Sequence, residues 1–427
     1  MFIDLHIHST ASDGTDSPKE ILEKISSKDG IKIFALTDHD TISGIEKLPA
    51  DISDKIFFVN GVEFSCKTAD GVKCHILAYF FNADNEEFQK LLREGKRLRK
   101  IQFEKRLKYL GEKYNINFTE SDIAEICKSN IVGKPHIVNF VAQKFGLDKD
   151  KLYKDLRKCY VGDARQDAAS VIKAVKTSGG VAVWAHPLGG EGEPILSQDE
   201  FKSRLRELCN FGIQGLECYY SRYTNEQEKF LAESARENNL LISGGSDCHG
   251  LNKTIALGEL GTESPAVKIY QLTILQKIFE CHDNPRIRQA FQLAKTAHEG
   301  QTDKAGVDYI YHPMTTAFQC CGNISAMIVA LLHDVAEDTN FSVDELQEKI
   351  SLTGEETAAL KLLTHDEKIS YLDYVKNIKA DELARQVKIA DLKHNSDLSR
   401  IPQNVRTEKD FKRVEKYSQA LKILRGD

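Results

Sequence analysis

The chain has 427 residues, 41% hydrophobic and 29% charged, with a formal net charge of −6. That length exceeds one ordinary core, so two domains are expected, and the negative balance excludes a protein that holds long polyanions by its overall field. No apolar run reaches membrane-spanning length, the N-terminus runs into a strand pattern without a leader-type segment, and the ten cysteines lack a CxxC pair, which points to reduced thiols in a cytoplasmic protein.

Seven short apolar runs read as buried strands: Phe2–Ile7, Ile31–Leu36, Ile56–Val62, Cys74–Phe80, Val181–Trp184, Ile213–Cys218 and Leu240–Ser243. Most are rich in β-branched or aromatic residues and stop at a turn, the pattern of parallel strands covered by helices. Between about 83 and 177 long amphipathic helices replace the strands, an insertion carried on the strand–helix body. Its basic run REGKRLRKIQFEKRLK (Arg93–Lys108) reads first as a solvated helix face. The cluster GTESPA at Gly261–Ala266 marks a linker, placed at 263–279. Beyond it Ile287, Ala290, Phe291, Ala294 and Ala297, then Ile328, Leu331, Leu332 and Val335, recur at helical spacing. Residues 1–262 are therefore expected to be α/β and residues 280–427 all-α.

Metal-type side chains gather at the strand ends. In FIDLHIHS, strand alternation puts His6 and His8 on one face and the aliphatic residues on the other. The second strand ends in TDHD (His39), the third in GVEFS (Glu63), the fifth in WAHP (His186) and the last in GGSDCHG (Asp247, His249), while the fourth begins KCHILAY (His75). Asp13, in the loop after strand one, can join them. Parallel α/β barrels place their sites at the carboxyl ends of strands. Six histidines, one glutamate and two aspartates exceed the needs of one ion and suit two or three, with Glu63 able to bridge. Such sites suit phosphate ester hydrolysis, which is extremely slow uncatalysed. Cys248, between two of these residues, reads as a small filler.

These segments resemble a known family. DLHIHSTASDGTDSP, ALTDHDT, GVEFS, HILAY, GKPHI, WAHP and GSDCHG are similar to the PHP (polymerase and histidinol phosphatase) family over roughly residues 1–260. The insertion with GKPHI resembles the branch that removes the 3′-phosphate from nucleoside 3′,5′-bisphosphates and can trim short RNA 5′ ends. The resemblance implies a distorted seven-stranded α/β barrel and manganese, zinc or iron as metals. It also implies His6, His8, Asp13, His39, Glu63, His75, His186, Asp247 and His249 as ligands. Lys134, His136 and Arg222 are candidate phosphate contacts, since they donate hydrogen bonds to anionic oxygens.

A second constellation lies in the C-terminal part. ALLHDVAEDT sets His333 and Asp334 on a helix with Glu337 and Asp338 one turn later. YIYHP supplies His312 and VKIADLKHN supplies Asp391. Two histidines and two carboxylates would hold one divalent ion with water positions open, and Glu337 and Asp338 would orient or deprotonate an attacking water. AKTAHEGQ, YIYHP, LLHDVAEDT and VKIADLKHN resemble the HD hydrolase domain of RelA/SpoT enzymes and the small alarmone hydrolases. That resemblance implies manganese-dependent removal of 3′-pyrophosphate from guanosine alarmones, with His312, His333, Asp334 and Asp391 as ligands and Glu337, Asp338 and Asn395 at catalytic and substrate-binding positions. After HEGQ the family carries a basic residue near the base. This chain has Thr302 and Asp303 before Lys304, so Lys304 is the candidate substrate contact there and guanine recognition is open.

Both resemblances converge on small nucleotides phosphorylated at the 3′ position, with no membrane partner. A second reading is an enzyme that trims short RNA at the 5′ end, the HD part serving as a nucleotide-sensing module.

Overall fold

The computed structural model describes every residue except 50–51, 53–54, 130, 162–163, 191–194, 264–266, 367, 402 and 427. The chain forms two compact units, one running to Ile274 and the other from Leu275 onward.

The first unit is a nearly closed barrel. Its strands are β1 (Phe2–Asp4), β2 (Lys32–Leu36), β3 (Ile56–Lys67), β4 (Lys73–Tyr79), β5 (Gln166–Asp167), β6 (Val181–Trp184), β7 (Gly215–Tyr220) and β8 (Leu241–Gly245). The sheet path is β1-β2-β3-β4-β6-β7-β8, with β5 pairing beside β3. Main-chain bonds from Leu5 N to Gly244 O (3.2 Å), Asp247 N to His6 O (2.7 Å) and His8 N to Cys248 O (2.9 Å) bring the two ends together. Asp4 clamps the same seam, accepting from Ser246 N and Oγ at 2.9 and 2.6 Å and from Gly258 N at 2.8 Å.

The sheet is not all-parallel as the strand pattern suggests, because β4 runs antiparallel to both β3 and β6. The cause is the tight connection Thr68–Val72, closed by Thr68 N to Val72 O at 2.8 Å with Gly71 at φ +82°. So short a link permits only an antiparallel neighbour. The reversal brings the start of β4 to the end of the barrel where β3 carries Glu63, and Ser65 pairs with His75.

Helices α1 (Pro18–Ser26), α2 (Glu86–Tyr114), α3 (Glu120–Ile126), α4 (Lys134–Phe145), α5 (Lys149–Lys158), α6 (Ala168–Thr177), α7 (Gln198–Phe211) and α8 (Asn225–Glu237) complete the unit. Helices α2 to α5 share a core of their own, including Phe103, Leu107, Ile137, Val141 and Leu152. The insertion ends earlier than 177, since α6 packs on β3, β4 and β6 through a face carrying buried Val171, Ile172 and Val175.

Of the stretch read as linker, 264–266 lie outside the described residues, and later positions are packed. Leu272 and Ile274 are buried, and Ile242 N donates to Thr273 Oγ1 at 2.8 Å.

The second unit is all-α: α9 (Gln276–Glu280), α10 (Pro285–Ala297), α11 (Tyr311–Gln319), α12 (Ile324–Asp338), α13 (Val343–Ile350), α14 (Gly354–Leu363), α15 (Tyr371–Lys379), α16 (Glu382–Asn395) and α17 (Glu408–Arg425). Residues Ala326–Val335 of α12 are buried without a break, His333 and Asp334 included, and a helix buried on all sides belongs at a centre. It lies among α10, α11, α14 and α16. Among the described residues no helix is long and apolar enough to cross a membrane, and the ten cysteines form no disulfide.

Candidate metal centres

Glu63 organises the first centre. Its Oε1 lies 2.6 Å from His75 Nδ1 and 3.1 Å from His186 Nε2. Its Oε2 lies 3.3, 3.2 and 3.0 Å from His6 Nε2, His8 Nε2 and His39 Nδ1. Asp247 Oδ1 meets His8 at 3.3 Å, His249 at 3.4 Å and His6 at 3.6 Å, and Asp13 Oδ1 is 3.3 Å from His249 Nε2. Three overlapping groups of donor atoms result: His8, Asp13, His39 and His249; His6, His8, Glu63 and Asp247; and His39, Glu63 and His75, each with its atoms within 4.8 Å of one another. The nine residues singled out in the sequence thus come together around one space.

His6 Nε2, His8 Nε2, His39 Nδ1 and Asp13 Oδ1 are buried without a hydrogen-bond partner. Buried polar atoms left unpaired are costly, and a convergent set of imidazole and carboxylate donors fits divalent cations. Burial alone would raise the Glu63 carboxyl, yet His75, His39 and His6 hold it well below its usual range. Burial and Lys253 push the His249 imidazole down to about 4, keeping it neutral as a ligand must be.

Ring orientation is set from behind. His6 donates from Nδ1 to Glu217 Oε1 at 2.8 Å, and Glu217 Oε2 accepts the His186 main-chain N–H at 2.7 Å. His249 donates from Nδ1 to the Asp247 carbonyl at 2.9 Å. Each contact turns Nε2 toward the cluster. Asp38, beside His39, accepts from Ser9 N at 2.8 Å and Ser12 Oγ at 2.6 Å, tying the loop that carries Asp13. Motif reading passes over Glu217, Asp38 and Asp4. The available signal for Glu217 is a carboxylate inside a wholly buried strand, GLECYY. His186 and Asp247 have φ of +29° and +57°, a left-handed backbone that non-glycine residues seldom adopt outside functional sites.

A cavity of about 450 Å³ opens over this cluster, with Lys134 in its wall. The other two expected phosphate contacts are elsewhere. His136 Nδ1 accepts the Gly133 N–H at 3.0 Å and its Nε2 meets Ser129 Oγ at 2.8 Å, so this ring caps its own helix. Arg222 is exposed and does not line the cavity. The basic helix is also more than a solvated face: Arg99 and Arg106 are 7% and 3% exposed and line the cavity.

The second centre sits among α11, α12 and α16. His312 Nε2 is 3.2 Å from Asp334 Oδ2 and 3.3 Å from Asp391 Oδ1, and His333 Nε2 is 3.1 Å from Asp334 Oδ1. Donor atoms of His312, His333 and Asp391 lie within 4.8 Å of one another. His333 donates from Nδ1 to Ala330 O at 2.8 Å, leaving a buried, partnerless Nε2; this set also fits a divalent cation. His312 Nδ1 lies 2.7 Å from His394 Nδ1. Asp391 is steadied by Lys388 Nζ at 2.9 Å and by Asn395 Nδ2 at 2.5 Å, so Asn395, expected at substrate, holds a carboxylate here.

Glu337 and Asp338 stand exposed at the end of α12. Although the residues are exposed as a whole, desolvation of their carboxyl groups and nearby Asp334 push both carboxyls up. Tyr309 Oη donates to Asp334 at 3.0 Å and to Asp338 at 3.4 Å. Lys304 instead pairs with Asp410 at 2.9 Å, and Asp303 pairs with Arg400 at 2.5 Å.

Two separate clusters of buried histidine and carboxylate, one on a barrel and one on a helical unit, define a metal-dependent phosphohydrolase. Comparison with known proteins agrees. The PHP domain model matches residues 4–148. A 5′-3′ exoribonuclease of Haemophilus influenzae is 30% identical over 269 residues, 60% of this chain and 93% of that protein. A 3′,5′-nucleoside bisphosphate phosphatase of Chromobacterium violaceum is 25% identical over 258 residues, 58% of this chain and 87% of that one. The bifunctional (p)ppGpp synthase/hydrolase SpoT of Escherichia coli is 34% identical over 125 residues, 26% of this chain and 17% of that protein's length. The chain belongs to the PHP family of phosphoesterases, and its C-terminal unit is similar to part of SpoT.

Proposed function

We propose that this chain hydrolyses two kinds of 3′-phosphorylated small nucleotide at two centres. The barrel removes a 3′-phosphate from nucleoside 3′,5′-bisphosphates, and the helical unit removes a 3′-pyrophosphate from (p)ppGpp-like nucleotides. The observation that carries this reading is the pair of donor sets, a larger one beneath a cationic cavity and a smaller one beside an acid pair. The Chromobacterium and SpoT relatives support the two substrate classes.

His6, His8, Asp13, His39, Glu63, His75, His186, Asp247 and His249 would hold two or three ions of manganese, zinc or iron; His312, His333, Asp334 and Asp391 would hold one, manganese by resemblance. Bound divalent ions would supply charge neutralisation for phosphoryl oxygens and a more acidic water. Lys134 lines the cavity, where its ammonium can donate to a phosphate oxygen. Glu337 and Asp338, with raised carboxyls, can accept a proton from the attacking water.

A second reading has one specific support. The outer side of α2 borders a groove rimmed by Lys47, Arg93, Lys96, Lys100, Lys108 and Lys128, which suits the body of a short RNA whose 5′ end is trimmed, as the Haemophilus relative's name suggests.

Assaying the manganese-loaded chain on a nucleoside 3′,5′-bisphosphate, guanosine 3′-pyrophosphate nucleotides and a 5′-phosphorylated RNA decides between them. The first reading expects phosphate from the bisphosphate and pyrophosphate from the alarmone. RNA shortening with a steep salt dependence, and no release from either nucleotide, would replace it with the second.

A further inference from the structure

The loop between α10 and α11 is folded around one carboxylate. Asp303 Oδ1 accepts the main-chain N–H groups of Ala305 and Val307 at 2.8 and 3.0 Å, while the Asp303 N–H donates to Val307 O at 2.7 Å. Gly306 makes the turn at φ +77°. Two further contacts close the base of the loop: Tyr309 N donates to Gln301 O at 2.9 Å, and Thr302 bridges Asp308. A cationic side chain at position 303 could accept neither of the two N–H groups. The other carboxylate oxygen, Oδ2, meets Arg400 Nη2 at 2.5 Å, with the two side chains only 15% and 16% exposed. The water activation proposed for Glu337 and Asp338 makes no use of this pair.

From Asp303, Arg400 reaches on to the second centre. Its Nη1 donates to His394 Nδ1 and to the His394 carbonyl, each at 3.2 Å, and His394 Nδ1 lies 2.7 Å from His312 Nδ1. That last contact needs one hydrogen between two ring nitrogens, and either ring could carry it. Arg400 removes the choice. A guanidinium only donates, so the nitrogen it faces presents a lone pair. The hydrogen therefore sits on His312 Nδ1. This leaves His312 Nε2, 3.2 Å from Asp334 and 3.3 Å from Asp391, as the nitrogen available to a divalent cation. The usual partner behind a ligand histidine is a carboxylate, a carbonyl or water. Here it is a second imidazole, whose own tautomer has to be set in turn.

We propose that Asp303, Arg400 and His394 are positioning residues for the helical centre: Asp303 anchors Arg400, Arg400 fixes the tautomer of His394, and His394 fixes that of His312. The loop 303–307 and the metal-binding nitrogen are then set together. This rests on the reading of His312, His333, Asp334 and Asp391 as ligands. The guanidinium joins the two ends because one rigid, planar group reaches the carboxylate and the imidazole with different nitrogens. The acid at position 303, where the resemblance calls for a cation, thus serves the metal centre rather than a nucleobase.

The test is a competitive chelator titration of manganese on the full chain, in which the sites lost in His333→Ala are those of the helical centre. His394→Phe keeps a ring but no acceptor, and should weaken those sites about 10–100-fold. Asp303→Asn, whose amide oxygen still serves the loop, and Arg400→Gln should each weaken them about fivefold or more, and the double variant no further, because members of one network are not additive. The barrel sites should keep their affinity throughout, and Asp303→Asn decides the matter if Arg400→Gln does not fold. Nitrogen-15 spectra of the histidine-labelled, metal-free chain add a readout that packing alone would not move. The signal missing from His394→Phe should show its hydrogen on Nε2 in the wild type and a mixture of tautomers in Arg400→Gln. Unchanged affinity in Asp303→Asn, losses that add in the double variant, or a wild-type His394 with its hydrogen on Nδ1 overturns the proposal. If His333→Ala removes no site, the ligand reading fails. The response of the His394 tautomer to Arg400→Gln then still upholds or overturns the chain from Asp303 to His312.

Discussion

Glu217 shows how much of a metal centre can rest on a residue that carries no motif. It is fully buried, faces the His6 ring with one oxygen and the His186 backbone with the other, and so positions two candidate ligands from different strands. Replacing such an outer partner typically costs about 10–100-fold in metal affinity. Glu217→Gln should show that loss in a competitive chelator titration while keeping the wild-type circular dichroism. The histidines were legible because HxH, TDHD and WAHP put unusual residues at the ends of apolar runs. Glu217 was not, since nothing in one strand says which neighbouring strand supplies the ring it meets.

A buried acid away from both centres gives a pH prediction. Glu228 has a buried Oε1 with no partner, and burial with nearby Glu263 lifts its carboxyl to about 7. Its folded value is above its unfolded one, so the protonated form is favoured by folding and stability is lost as pH rises through this range. Glu228→Gln should therefore raise the melting temperature at pH 8, by about 1–2 kcal/mol of stability, and change it little at pH 5. An equal effect at both pH values would show that ionisation is not the cause.

Base recognition in the helical unit also turns on single residues. Asp303, where a cation would be needed, is an anion held by Arg400, and Lys304 is paired with Asp410, so this segment sets no free cation over a purine, a contact worth about 0.5–2 kcal/mol. Guanosine over adenosine 3′-pyrophosphates should be preferred less than about tenfold in kcat/KM, or ~1.4 kcal/mol. A hundredfold preference would show that other residues read the base.

At the level of elements, seven apolar runs were enough to find the seven main strands, because buried strands are apolar along their whole length. The same property hid the direction of β4, since a run buried on both faces looks alike whichever way it runs. The Asp70–Gly71 turn between β3 and β4 is the local signal. The two-residue β5 lacks any pattern a strand of that length could carry. Closure depends on glycine: a Cβ on Gly245 would come within 2.4 Å of His6 N. Gly245→Ala should cost the barrel about 1–3 kcal/mol through overpacking, and should lower both the urea midpoint of the barrel transition and its metal content. A variant with wild-type metal content and midpoint would mean the seam opens easily.

For the whole molecule, the two centres are built from different elements by different logic. In one, side chains from many strands converge at one end of a barrel, with Glu63 among five imidazoles. In the other, a buried helix supplies His333 and Asp334 together and two neighbouring helices complete the set. The existence of both was legible because each depends on residue types rare in apolar segments. The cationic lining of the barrel cavity was not, because a charged helix reads as solvated until its neighbours are known. The central claim is that these are two independent hydrolytic centres, one releasing phosphate and the other pyrophosphate from a nucleoside 3′-oxygen. Phosphate and pyrophosphate release should be followed together on a mixture of a nucleoside 3′,5′-bisphosphate and a guanosine 3′-pyrophosphate nucleotide, for the wild type, His8→Ala and Asp334→Ala. The account predicts that His8→Ala abolishes phosphate release and spares pyrophosphate release, and that Asp334→Ala does the reverse. Loss of both activities in either variant, with its circular dichroism intact, would contradict it.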